Sequence, residues 1–364
     1  MRADIPPPYV FWRAECRRRT LVGLSAVQSI LQPAKESLMK PANQRLRRSL
    51  LRLSRFAARG TRSTLALGGG GARGIAHLGV VEVLRSLGIR IERIVGVSIG
   101  SLAGALCALD EDIGHVQERL AGLLTSEAFQ RQQSKMFATA PTSDEPGTSG
   151  LFAWWEQFSR FLGARRRMLD LLNRPSLLPS EFMLNIVTEL LPDIDLRDLR
   201  IPLTVVALDL CSGKQVKLTR GSLRSAVVAS TAIPGVFPPV DIDGKQLVDI
   251  GIIDALPVSV AVDYGSDLTI AVDVGSDVVA APPVQTAKDV FLRVSDVTER
   301  HVRQYTRGMS DLIIRPQVSG VPWYEFSRPE KLFESGRHAA REALKQYFSL
   351  DKADGVQSRS VAST

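Results

Sequence analysis

Histidine is scarce in this chain, with four among 364 residues, and so are cysteine with three, tryptophan with four and tyrosine with five. Cys16, Cys107 and Cys211 lie far apart, show no CxxC spacing and have no clustered histidine beside them. That excludes a sequence-evident zinc site or disulfide framework and predicts a reducing, cytoplasmic compartment. No apolar run reaches the roughly 18 residues that a membrane-spanning helix requires. The longest candidate, residues 21–31, is interrupted by Ser25, Gln28 and Ser29. Arg17, Arg18 and Arg19 ahead of that run imitate a secretory signal, but the run is too polar and Pro33-Ala34-Lys35 is a poor cleavage site.

Acidic residues are nearly missing from one part of the chain. Residues 1–62 hold 14 of the 46 Lys+Arg and only 3 of the 38 Asp+Glu, so this segment carries +11 and the remaining 302 residues carry −3. The overall charge of +8 therefore describes an N-terminal extension rather than the body. Within it Leu46, Leu50, Leu53 and Ala57 recur at helical spacing, with Arg45, Arg48, Arg52, Arg55 and Arg59 on the other faces. Such a helix can pack on the body or lie on an anionic membrane surface. Its leucines and phenylalanine suit a bilayer better than a phosphate backbone, so nucleic acid is not the expected partner.

From residue 63 onward, short apolar runs alternate with amphipathic stretches, which predicts an α/β domain with a mainly parallel central sheet between helices. Strands are expected at residues 64–67, 91–95, 203–210 and 268–274, the last of these being the final strong one. Helices are expected at 73–87, 99–109, 222–230, 284–305 and 329–348. Residues 125–175 break the rhythm with a polar stretch followed by Phe152, Trp154, Trp155, Phe158 and Phe161. This insertion either covers a local core or forms a lid. Residues 63–275 are thus read as the core, 276–350 as its helical C-terminal part, and 351–364 as a polar, disordered tail. No internal repeat is present.

The strongest local signal is Gly96-Val97-Ser98-Ile99-Gly100, a GxSxG between an apolar strand and a helix of small residues. A tight strand-to-helix turn projects the serine hydroxyl outward, and the flanking Gly96 and Gly100 leave room for it. A second strand-to-helix junction carries Gly68-Gly69-Gly70-Gly71-Ala72-Arg73-Gly74. Gly69, Gly71 and Gly74 fit the GxGxxG of a dinucleotide loop, yet the acidic residue required at the end of the next strand is replaced by the GxSxG turn. An oxyanion hole fits better, because glycines let backbone N–H groups approach a tetrahedral oxyanion. Arg73, at the start of the following helix, can serve as a structural ion pair or hold the loop or a lipid phosphate.

A serine nucleophile needs a base. His77 follows the glycine loop on a helix, and His115, His301 and His338 fall in polar helical stretches, so no histidine stands in a strand-end loop. A buried aspartate can take the role, and Gln246-Leu247-Val248-Asp249-Ile250-Gly251 supplies one after a short strand. Asp254 is a nearby alternative, read as a surface or turn residue.

These segments together resemble the patatin-like phospholipase family. The run GGGGARGIAHLGVVEVL at residues 68–84 is similar to its glycine-rich motif, and GVSIGS at 96–101 to its nucleophile elbow. ASTAIPGVFPPV at 229–240 is similar to the segment before its aspartate, and LVDIGIIDALPV at 247–258 to the aspartate motif. The resemblance covers residues 64–275. It implies a three-layer α/β/α fold and a Ser98–Asp249 dyad working without catalytic histidine, metal or cofactor. It further implies an oxyanion hole built from the Gly69–Gly74 loop, with the amides around Gly70 and Gly71 as donors, and hydrolysis of acyl esters in lipids. One departure is Ile250, where the family places glycine. If that position demands a positive φ, a β-branched residue would displace Asp249 and leave a silent lipid-binding protein.

Overall fold

The computed structural model describes residues 61–137, 176, 178–275, 277, 283–285 and 287–360. The basic extension up to residue 60, and the aromatic run from Phe152 to Phe161, lie outside the described residues.

An eight-stranded sheet organises the chain in the spatial order β5-β6-β3-β2-β1-β7-β8, with β4 also paired to β3. Its strands are β1 (Ser63–Leu67), β2 (Ile91–Val97), β3 (Leu203–Asp209), β4 (Gln215–Leu218), β5 (Val240–Ile242), β6 (Lys245–Val248), β7 (Leu268–Val272) and β8 (Leu312–Ile314). The β1–β2, β2–β3, β1–β7 and β7–β8 pairs are parallel, and the pairs of β3 with β4 and β6, and of β5 with β6, are antiparallel. The central strands are buried along their length, as expected where helices cover both faces.

Side chains alternate between two cores, as the period of 2 in a strand dictates. Leu65 and Leu67 of β1 join Ile94, Leu203 and Ile270 in one core with α1 (Ala76–Ser86), α2 (Ile99–Leu109), α3 (Ile113–Thr125), α5 (Glu181–Leu190), α6 (Leu223–Thr231) and the last helix, α9 (Pro329–Ser360). Ala66, Val95, Val206 and Ala271 face the other core, shared with α7 (Val258–Val262). The result is three layers, α/β/α. Gly79 of α1 and Gly336 of α9 sit where any Cβ would run into the backbone of the opposite helix, so the two helices cross at close range. Helix α8 (Ala287–Arg307) is tied to the end of β7 by buried Asp273, whose carboxylate meets Arg303 at 2.8 Å and Arg307 at 2.5 Å.

The structure shifts two expected boundaries and adds two elements. The helix predicted from residue 73 opens as a 3-10 turn (Gly71–Ile75) and becomes α-helical only at Ala76. The opening of the 125–175 stretch is helical, as α4 (Glu127–Phe137). A short further strand, β8, follows the last strong one expected; three residues are too few for periodicity to register, and pairing with β7 defines it. Helix α9 continues through Ser360 into the stretch read as a disordered tail. A nucleated helix gains one hydrogen bond per added residue, and no proline interrupts residues 351–360. Among the described residues no helix is long and apolar enough to cross a membrane.

Candidate active site

Strand β1 lies where the chain order reverses, with β2 and β3 on one side and β7 and β8 on the other. In open α/β sheets such a switch point opens a crevice at the carboxyl ends of the strands. The glycine loop leaves β1 and the GxSxG turn leaves β2, so topology alone brings both to this crevice.

Ser98 has φ 54° and ψ −128°, one of two non-glycine residues at positive φ among those described. Such a conformation costs on the order of 1–3 kcal/mol and survives only where the surroundings enforce it. They do so here through hydrogen bonds and close packing. The Ser98 N–H donates to the Ser230 hydroxyl at 2.9 Å, and that hydroxyl, fully buried, donates to the Val206 carbonyl at 2.7 Å. The Ser98 carbonyl accepts from the Ser101 hydroxyl at 2.6 Å. A Cβ on Gly96 would stand 2.5 Å from the Gly100 carbonyl oxygen, and one on Gly100 would strike the Leu67 carbonyl. Both glycines are therefore steric requirements of the elbow. Ser230 was not singled out from sequence, although it lies in the 229–240 segment; nothing in its spacing marks it.

Asp249 follows β6, which pairs with β3, the neighbour of β2. Its carboxyl group is buried and lies close enough to the Ser98 side chain for that hydroxyl to lower its pKa. Its Oδ1 also accepts the Gly251 N–H at 2.7 Å. Burial pushes its pKa up to about 6, while the Ser98 and Gly251 hydrogen bonds pull it down. Ile250 does not have a positive φ. Its side chain is buried with Val97, Val206, Val248 and Leu256, so the β-branched residue is accommodated by packing on the second core rather than strained. The glycine that matters locally is Gly251, where a Cβ would lie 2.9 Å from Asp249 Oδ1. Asp254 is partly buried rather than a plain surface residue; burial raises its pKa to about 6 as well, and Ser98 is not among its partners.

The glycine loop divides its work. The amides of Gly68 and Gly69 donate to the carbonyls of Val272 at 3.1 Å and Ala255 at 2.8 Å, and that of Ala72 donates to Trp323 at 2.6 Å. Those of Gly70 and Gly71 have no intramolecular acceptor among the described residues. Gly69, grouped with the oxyanion donors from sequence, thus has its amide occupied in holding the loop against the aspartate segment. Gly71 needs both its φ of +60° and its missing Cβ, since the Trp323 carbonyl occupies that space. Gly74 gives way to Ile99 of the elbow helix, bringing the two turns together.

Arg73 resolves as a loop holder, because its Nε donates to the Val321 carbonyl at 2.7 Å. Burial, with Arg300 and Arg303 nearby, lowers its pKa to about 10, so it remains a cation at neutral pH. The bracing segment Val321–Trp323 had no signal in the sequence, since its contribution is mostly backbone carbonyls. His77 is fully buried and its Nε2 donates to the Gly68 carbonyl at 2.8 Å. Burial lowers its pKa to about 4, which keeps it neutral and structural.

The geometry carries a strained serine, a buried aspartate beside it, and two amides on the adjoining loop that have no acceptor among the described residues. A family model described as patatin-like phospholipase matches residues 65–262, more than half of the chain. The chain belongs to the patatin-like phospholipase family. Within that family it is 35% identical over 208 residues to the uncharacterized NTE family protein Rv1063c of Mycobacterium tuberculosis, covering 57% of this chain and 48% of the relative. A second M. tuberculosis protein, the uncharacterized NTE family protein Rv2565, is 29% identical over 304 residues, 77% of this chain and 46% of that one. The neuropathy target esterase sws of Drosophila melanogaster is 30% identical over 217 residues, 59% of this chain and 13% of that one. The chain spans about half the length of the mycobacterial relatives. Among solved structures, VipD from Legionella pneumophila matches with a TM-score of 0.39 at 16% identity, over 79% of this chain and 66% of that one.

Proposed function

We propose that this protein is a serine lipid acyl hydrolase working through a Ser98–Asp249 dyad. The observation that carries the reading is the buried Asp249 carboxyl group placed beside Ser98, a serine held at positive φ in the turn after β2. Above about pH 6 Asp249 is a carboxylate and accepts the Ser98 proton as the hydroxyl oxygen attacks the ester carbonyl. The free amides of Gly70 and Gly71 then donate to the oxyanion. Collapse of the tetrahedral intermediate expels the alcohol, which takes the proton from Asp249, and leaves an acyl group on Ser98. Asp249 next draws a proton from water, whose oxygen attacks the acyl carbonyl; collapse of this second intermediate releases the acid and expels the Ser98 oxygen, which takes the proton back from Asp249.

A fluorophosphonate probe tests this directly. Wild type is expected to be labelled at Ser98, and Ser98→Ala and Asp249→Asn to remain unlabelled while folded. Labelling that persists in Ser98→Ala, or fails in folded wild type at pH 8, refutes the dyad. Peripheral attachment to anionic membranes through the basic residues 1–62 belongs to the same proposal. Pelleting with anionic vesicles, with and without that segment, is the corresponding measurement.

A further inference from the structure

An oxyanion donor must be fixed in direction and yet left without a partner, because a hydrogen bond that fixed it would also use it up. Three neighbouring amides of the glycine loop are held by hydrogen bonds, those of Gly68, Gly69 and Ala72. Gly70 and Gly71 have no such bond among the described residues, so close packing has to orient them. Gly71 is wedged by the Trp323 carbonyl. Gly70 is packed instead by Val274, since a Cβ on Gly70 would stand 2.8 Å from Val274 Cγ2 and 3.4 Å from the Val274 carbonyl oxygen. Val274 is fully buried, and it is pinned on both flanks. Before it, the Oδ1 of buried Asp273 accepts the Gly275 N–H at 2.9 Å and Arg303 Nη1 at 2.8 Å, which closes a turn around Val274. After it, Gly275 leaves open the space that the Arg303 guanidinium fills, where any Cβ would run into that group. Glu299 steadies the guanidinium in turn by accepting its Nε–H at 2.6 Å.

We propose that Val274 is a positioning residue that holds the Gly70 amide in the direction the oxyanion requires, and that Arg303 of helix α8 keeps it there through Asp273 and Gly275. The proposal rests on the hydrolase reading. Val274 acts through Gly70 and not on the ester. The charged pair beside it fits this role better than a role in stability. Removing a carboxylate and a guanidinium from water costs much of what their attraction returns, and apolar replacements of such pairs are often neutral or stabilising. What the pair does supply is a fixed geometry, and the residue it fixes abuts the oxyanion loop.

The test compares kcat and KM on p-nitrophenyl butyrate, with the thermal unfolding midpoint verifying that each variant is folded. Val274→Ala removes the methyl against Gly70 and should lower kcat about 10- to 100-fold with KM unchanged, less than the loss of about 100- to 1,000-fold when an oxyanion donor is deleted. Val274→Thr keeps the branched shape and should retain kcat, although its buried hydroxyl lowers the midpoint. Val187→Ala takes the same atoms from a fully buried valine of α5 and should lower the midpoint with kcat unchanged. Arg303→Lys keeps the charge without the planar fork, provides a second, independent variant and should lower kcat as Val274→Ala does. A parallel arm reads the Gly70 amide without turnover by 15N relaxation, where the order parameter should be about 0.85 in wild type and Val187→Ala and below about 0.6 in Val274→Ala. That fall supports the brace even if no ester is hydrolysed and the hydrolase reading falls. Hydrolysis by folded Val274→Ala at the wild-type kcat leaves the hydrolase standing and overturns the brace. An unchanged Gly70 order parameter in Val274→Ala, or an equal loss of kcat in Val187→Ala, overturns it too, and an unchanged kcat in folded Arg303→Lys overturns the part given to Arg303.

Discussion

Gly251→Ala isolates the contribution of the aspartate turn with a single methyl group. In the native turn Asp249 Oδ1 accepts the Gly251 N–H at 2.7 Å, and a Cβ on residue 251 would stand 2.9 Å from that same oxygen. Both cannot hold their positions. The carboxylate must rotate, weakening its bond to the amide and shifting away from Ser98. A hydrogen bond to a charged acceptor contributes about 1.5 kcal/mol at the low end, about tenfold in the protonation equilibrium. The bond stabilises the charged form, so its loss raises the Asp249 pKa above its present value of about 6. In wild type, activity should rise with pH as the carboxylate forms, with the limb centred at about 6. In Gly251→Ala the same limb should be centred at about pH 7. Misplacement of the base adds a loss of about 10- to 100-fold in kcat at the plateau. The assay is kcat/KM on a p-nitrophenyl ester from pH 5 to 9, with thermal unfolding alongside. A folded variant with the wild-type limb and plateau would refute both the turn geometry and the role given to Asp249.

Two further substitutions probe the frame around the dyad. Ile250→Gly restores the residue common in the family, yet Ile250 is 3% exposed and packed in the second core, so the change should cost about 3 to 6 kcal/mol of stability and bring no gain in activity; a denaturation midpoint equal to wild type would contradict this. Ser230→Ala removes the acceptor of the Ser98 N–H and the donor to Val206, so stability should drop by about 1 to 3 kcal/mol and kcat should fall more than KM rises; unchanged kcat would mean that packing alone holds the elbow.

The parts of this protein legible in the sequence are those whose reason is local. GxSxG reads as an elbow because a tight strand-to-helix turn tolerates only small flanks, and Gly96 and Gly100 do lie where a Cβ would meet backbone. The glycine run, the alternation of strands and helices, and the poverty in histidine needed no tertiary contact to be informative. Asp249 was reachable because it follows a short strand and precedes a turn glycine.

Tertiary structure decided what depends on residues distant along the chain. Whether Ile250 disrupts or packs was settled by Val97, Val206 and Leu256, which β2, β3 and the aspartate loop bring around it. Which loop amides are occupied was decided by the carbonyls of Val272, Ala255 and Trp323, up to about 250 residues away in sequence, which take three of them and leave those of Gly70 and Gly71 without an acceptor among the described residues. Ser230, Arg73 and β8 likewise owe their roles to partners on other elements. A sequence states the conformational freedom and chemistry of each residue, but a hydrogen bond is used up only once the fold has brought its partner there.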